Sequence, residues 1–146
     1  MNSNRSWYES HPTRLRQEQE AMKSRFPDFR LTRGDDGALG WVGFLTSNRG
    51  NRYKILIDYR EGFPHEEPYA YILQPRFVSQ HMWEDGHLCL MYPGGSTWRT
   101  NTTAASLLAI VAAWIFSYET HKAKCRRDRG RPCIDPKCPY WPGDKM

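Results

Sequence analysis

One thiol stands apart from the other cysteines of the chain: Cys89, in Gly86-His-Leu-Cys-Leu90. A thiol attacks an activated acyl group readily, and the resulting thioester keeps its acyl-transfer potential while reacting faster with amines than with water. A carrier of this kind needs an accessible thiol rather than a strongly depressed pKa. His81 and His87 flank Cys89 in sequence. On an extended segment His87, two residues away, is expected to point elsewhere, which gives a cysteine–histidine hydrolase dyad little support. The bland alternative for Cys89 is a small buried hydrophobe, a common fate of cysteines outside disulfides.

A second set of chemistry-bearing residues lies near the C-terminus. His121, Cys125, Cys133 and Cys138 offer four candidate zinc ligands, with Gly130, Pro132 and Pro136 between them to form turns. The spacing lacks Cys-x-x-Cys pairs, so a structural zinc competes with reduced cysteines in an extension, and no other cofactor is expected. A disulfide from this tail to Cys89 would switch off a carrier. The uneven layout of the four cysteines fits a reduced protein better than a secreted disulfide scaffold.

The elements that must position Cys89 are legible from periodicity and punctuation. Residues 13–26 lack Gly and Pro, are rich in helix formers and bring Leu15, Met22 and Phe26 near one face, with Pro27 as the stop. Strand-like segments follow at 29–32, 40–46 and 52–59, separated by Gly34-Asp-Asp-Gly37 and Ser47-Asn-Arg-Gly-Asn51. Tyr53, Ile55, Ile57 and Tyr59 alternate with Lys54, Leu56 and Asp58, the period of a partly exposed antiparallel strand. A proline-bounded loop, Gly62-Phe-Pro-His-Glu-Glu-Pro68, leads to a fourth strand at 69–74. These four strands are expected to pair in sequence order as a meander. Residues 76–98 have no sustained period, an irregular length that is unusual unless functional. Thr102 or Thr103 is expected to cap a helix over 104–119 whose apolar residues almost surround it, making it the central core helix. Tyr69, Tyr71 and Tyr118 read as core or rim aromatics.

Composition bounds the rest. The chain has 146 residues, 39% hydrophobic and 14% aromatic, which suits one globular domain with a real core. Its longest apolar stretch, 104–116 with only Ser106 interrupting, is well short of the about 20 residues that cross a bilayer, and the N-terminus has no apolar secretory segment. A membrane partner is therefore not expected, and cytoplasm is the expected location. The net charge of +5 sits in residues 122–146, which hold eight Lys or Arg against three Asp. The expected division is a domain at 1–121 and a basic, Cys-containing extension at 122–146. With residues 1–121 formally neutral, nucleic acid is at most an auxiliary partner of Arg126-Arg-Asp-Arg-Gly-Arg131.

The order of these features resembles the ubiquitin-conjugating (UBC-like) enzyme family over roughly residues 13–120. Arg52–Tyr59 with Phe63-Pro-His-Glu-Glu-Pro68 is similar to the family's third strand and aromatic-proline loop, and Gly86-His-Leu-Cys-Leu90 to its active-site segment. Trp98 and Thr103 before an apolar helix complete the match. Four such matches in order, at agreeing spacings, are fairly specific. The resemblance implies an α+β fold with an N-terminal helix, a four-stranded antiparallel meander, an irregular active-site segment and a core helix. It implies Cys89 as the thioester-forming cysteine, Gly86, Leu90 and Trp98 as substrate-side residues, and His121 as a residue that orients or deprotonates the incoming amine. His121 has its own bland reading, a solvated helix-end histidine stabilised by the dipole.

Two departures from the family pattern stand out. Ser79-Gln80-His81 occupies the place of the family's His-Pro-Asn, so His81 stands where an Asn supports the loop and the oxyanion. An imidazole can donate to an oxyanion as well. The segment from Cys89 to Trp98 is one residue longer than in many members, consistent with a Pro93-Gly94-Gly95 turn.

His81-Met-Trp-Glu-Asp-Gly-His-Leu-Cys-Leu90 with Trp114-Ile-Phe-Ser-Tyr-Glu119 is similar to the bacterial branch encoded in CBASS antiphage defence operons, which tends to lack that Asn. There the carried group is the C-terminus of a ubiquitin-like protein or of a cGAS-like nucleotidyltransferase (CD-NTase), with or without an activating enzyme. The implied activity is acyl carriage and transfer to an amine. The alternatives are a catalytically inactive UBC-like binding module, and a zinc-stapled tail that binds nucleic acid.

Overall fold

The computed structural model describes residues 6–77, 79, 81–90 and 97–129, residues 124–129 by their backbone alone. A short helix, α1 (Trp7–Ser10), precedes α2 (Pro12–Arg25), where Pro12 occupies the first turn, a position that needs no backbone donor. Four strands follow: β1 (Arg30–Arg33), β2 (Leu39–Thr46), β3 (Arg52–Asp58) and β4 (Tyr69–Gln74). They pair antiparallel in sequence order, as the turn signals predict. The long helix α3 (Ala104–Arg129) completes the architecture, which is α+β.

Period-two patterning decides which face of the sheet is dry. Tyr53, Ile55 and Ile57 of β3 are buried while their neighbours are half-exposed, and they join Trp41 and Ala70 against Leu107, Leu108, Val111 and Trp114 of α3. At about 1.5–3 kcal/mol per buried large apolar side chain, this interface is the main stabilising contact of the fold. Gly43 is needed within it, because a Cβ there would stand 2.6 Å from the Phe29 ring.

A buried polar strut joins the two long helices. Glu18 of α2 accepts from the Tyr59 hydroxyl (2.7 Å) and from the Ala104 backbone N–H at the start of α3 (2.8 Å). Trp41 Nε1 donates to the same Tyr59 oxygen, and Arg14 pairs with Glu18 while donating to the carbonyls of Thr100 and Thr102. Burial pushes the Glu18 carboxyl above its ordinary range, outweighing the donors and Arg14 that favour the anion. Thr103 is the cap of α3, its hydroxyl accepting from the Ser106 N–H at 3.1 Å.

Two expectations about the last helix are corrected. It does not stop at Glu119: helical backbone runs through residue 121, the expected domain edge, to Arg129, because Lys and Arg are good helix formers and no Gly or Pro intervenes before Gly130. Nor is it covered on all sides. Ala112, Ala113 and Phe116 are exposed, Phe116 by 56%. Among the described residues no helix is long and apolar enough to cross a membrane.

Candidate active site

Cys89 is carried on a small hairpin that extends the sheet beyond β4. Met82 and Leu88 form an antiparallel bridge, flanked by Cys89 N–H to the His81 carbonyl and Trp83 N–H to the His87 carbonyl, both 2.9 Å. The loop Glu84-Asp85-Gly86 closes with Gly86 N–H on the Trp83 carbonyl and Gly86 at φ +93°, the left-handed glycine that a three-residue hairpin loop requires. Leu88 N–H donates to the Ala70 carbonyl, and Tyr71 bridges His87. The segment expected to be irregular thus contains a short ordered hairpin docked on β4.

Alternation along this hairpin sorts the side chains. Leu88 is buried in the core, so its neighbours His87 and Cys89 project to the opposite face. Trp83 shares the His87 face across the hairpin, and the Cys89 N–H bond to the His81 carbonyl brings the His81 backbone alongside Cys89. The expectation that His87 points away from Cys89 is therefore corrected: residues two apart on an extended strand share a side. Cys89 is a half-buried thiol and His81 is buried. His81, matched by sequence to the family's Asn, accepts the Cys89 backbone N–H through its carbonyl.

His87 is held on three sides. Its Nδ1 pairs with the Asp85 carboxylate, which also accepts from the His87 backbone N–H at 3.0 Å. These bonds, the backbone bond contributing most, hold the exposed Asp85 carboxyl below its ordinary range against an opposing desolvation. The imidazole stacks on Tyr69 with centroids 3.9 Å apart and planes 6° apart, and faces Trp83 at 5.6 Å and 16°. The Arg60 guanidinium lies 4.2 Å over the Tyr69 ring. Asp85 and Tyr69 are the site residues that sequence reasoning passed over. The signal for the first was Asp85-Gly86 between short apolar pairs, a hairpin-turn dipeptide.

The remaining expected site residues separate. Gly86 shapes the turn, and Leu90 is partly buried against the core. Trp98 is clipped to the proline loop, its indole N–H donating to the Pro64 carbonyl at 2.8 Å and its ring 6.0 Å from Phe63. His121 is 3% exposed within α3, neither solvated nor at a helix end, because the helix continues for two further turns. Tyr118 stacks on Phe77 and Trp114. Of the zinc candidates, Cys125 lies on α3, Cys133 and Cys138 lie outside the described residues, and among the described residues no three possible ligands cluster. Pro93-Gly94-Gly95 also lies outside the described residues.

A sheet meander backed by helices, with a cysteine hairpin at its last strand, is the ubiquitin-conjugating fold. The structure is similar to that of human ubiquitin-conjugating enzyme E2 G1 (TM-score 0.50, 16% identity, covering 77% of this chain and 96% of that one). It is also similar to the Vps23 UEV in its complex with ubiquitin (TM-score 0.50, 12% identity, covering 73% and 81%). In sequence it is 26% identical over 93 residues to a protein of Arabidopsis thaliana described as "Probable ubiquitin-conjugating enzyme E2 16", covering 62% of this chain and 55% of the plant protein. The chain therefore spans about half the length of that curated relative. The profile of the Type II CBASS E2 protein matches residues 18–126, and the chain belongs to that family.

Proposed function

We propose that this protein carries an acyl group as a thioester on Cys89 and transfers it to an amine, in the cytoplasm of a bacterium, as part of CBASS antiviral defence. The observation that carries the reading is the hairpin: Leu88 is anchored in the core, so Cys89 is presented on the outer face with His81 opposite it. In the charging step, Cys89 Sγ bonds to the carbonyl carbon of an activated C-terminus and the activating group leaves with the thiol's proton. That C-terminus belongs to a ubiquitin-like protein or a CD-NTase, activated as an acyl adenylate or as the thioester of an activating enzyme. In the transfer step the amine nitrogen bonds to the same carbon, the C–S bond breaks, and His81 donates a hydrogen bond to the transient oxyanion. Gly86, Leu90 and Trp98 shape the substrate side.

The test is an intact-mass comparison of protein from its native host, with and without thiol, beside Cys89→Ala. A protein-sized adduct released by thiol, cleaved by alkaline hydroxylamine and missing from the variant is the expected result. A partner that instead co-purifies noncovalently with both forms, with no adduct, replaces this reading with that of an inactive binding module.

A further inference from the structure

Transfer to an amine requires that a proton leave the attacking nitrogen, and His87 is an imidazole held on the outer face of the hairpin that bears Cys89. We infer that His87, oriented by Asp85, is the proton acceptor for the incoming amine; the inference rests on the carrier reading of Cys89. His87 shares the outer hairpin face with Cys89, two residues away, so its ring borders the place where a thioester would sit. Its Nδ1 is committed to Asp85, which fixes the imidazole proton on that nitrogen and leaves the Nε2 lone pair as the base. Tyr69 on the neighbouring strand and Trp83 across the hairpin hold the ring plane, while 17% of the side chain remains open to solvent. A carboxylate that orients an imidazole is the arrangement by which hydrolases position a general base, here placed beside a thiol that is itself the leaving group.

The step balances without an outside reagent. A neutral primary amine adds to the thioester carbonyl and the C–N bond forms. One N–H proton passes to His87 Nε2, the C–S bond breaks, and the departing thiolate takes that proton back from Nε2. The products are an amide and the Cys89 thiol, with His87 and Asp85 returned to their starting states. Asp85 is a positioning residue in this scheme.

The test uses the full chain charged on Cys89 by exchange with a synthetic glycine-terminated peptide thioester, with occupancy at residue 89 read by peptide mapping. Single-turnover discharge is then measured with free lysine and with hydroxylamine, a nucleophile that attacks without help from a base near neutral pH. His87→Gln is expected to slow discharge to lysine by about 10²-fold or more while discharge to hydroxylamine stays within about threefold. Asp85→Asn, which keeps the imidazole and its stacking, is expected to lower the lysine-to-hydroxylamine ratio by a smaller factor. Unchanged lysine discharge in His87→Gln, or equal slowing with both nucleophiles in both variants, overturns the inference and leaves His87 as a brace of the hairpin. A wild-type chain that holds no acyl group on residue 89 overturns the carrier reading and this inference with it.

Discussion

A backbone hydrogen bond gives His81 and Cys89 a fixed relationship. Cys89 N–H is bonded to the His81 carbonyl, so the two Cα atoms are held at cross-strand distance. If His81 donates to the oxyanion, His81→Ala should slow discharge to an amine by about 10²-fold or more while charging of Cys89 changes only a few-fold. His81→Asn should recover part of the loss, because an amide can donate from the same side. Rapid-quench discharge assays separate the two steps. Cys89 was legible in the sequence because its neighbours form a compact local motif. The roles of Asp85 and Tyr69 were not, since each exists only through a neighbour brought in by strand pairing. The side of His87 follows from the strand period alone, because residues two apart on an extended segment share a face.

Two elements carry most of what positions the site: the hairpin and the strut that fixes the start of α3. Gly86→Ala places a side chain at φ +93°, at a cost of about 1–2 kcal/mol confined to the hairpin. Faster local hydrogen exchange at Leu88 and Cys89, with a smaller change in global stability, is the expected signature. Glu18→Ala leaves Arg14, the Tyr59 hydroxyl and the Ala104 N–H without their shared acceptor, and denaturant unfolding should show a loss of about 3–5 kcal/mol. The same group has a pH signature. Because the folded state raises the Glu18 carboxyl above 4.5, its contribution is greatest when protonated and falls as pH rises through the raised value. The stability of Glu18→Gln relative to wild type should therefore increase from pH 4 to pH 7. Strands and α2 were legible because their periods and turn residues are local. The strut was not, since residues 14, 18, 41, 59 and 104 share no local pattern.

At the scale of the whole molecule, two buried carboxylates respond to acid in opposite senses. Glu119 behaves oppositely to Glu18. Burial pushes its carboxyl up, but donors from Asn51, Tyr53 and Ser47, with Arg49 nearby, outweigh burial and hold it below its ordinary range. Its stabilising contribution is present above pH 4.5 and is lost as pH falls through the lowered value. The abrupt turn to Arg and Lys after His121 does not interrupt the helix, whose backbone continues to Arg129. Truncation after Arg129 should leave charging of Cys89 intact, whereas truncation after His121 also removes two turns of α3 and should lower the melting temperature. The bond at residue 89 is tested by Cys89→Ser. With the acyl donor present, the thiol-labile adduct of the wild type should become a thiol-resistant ester whose branched peptide maps to residue 89. An adduct that stays thiol-labile in Cys89→Ser, or maps to another residue, would contradict it.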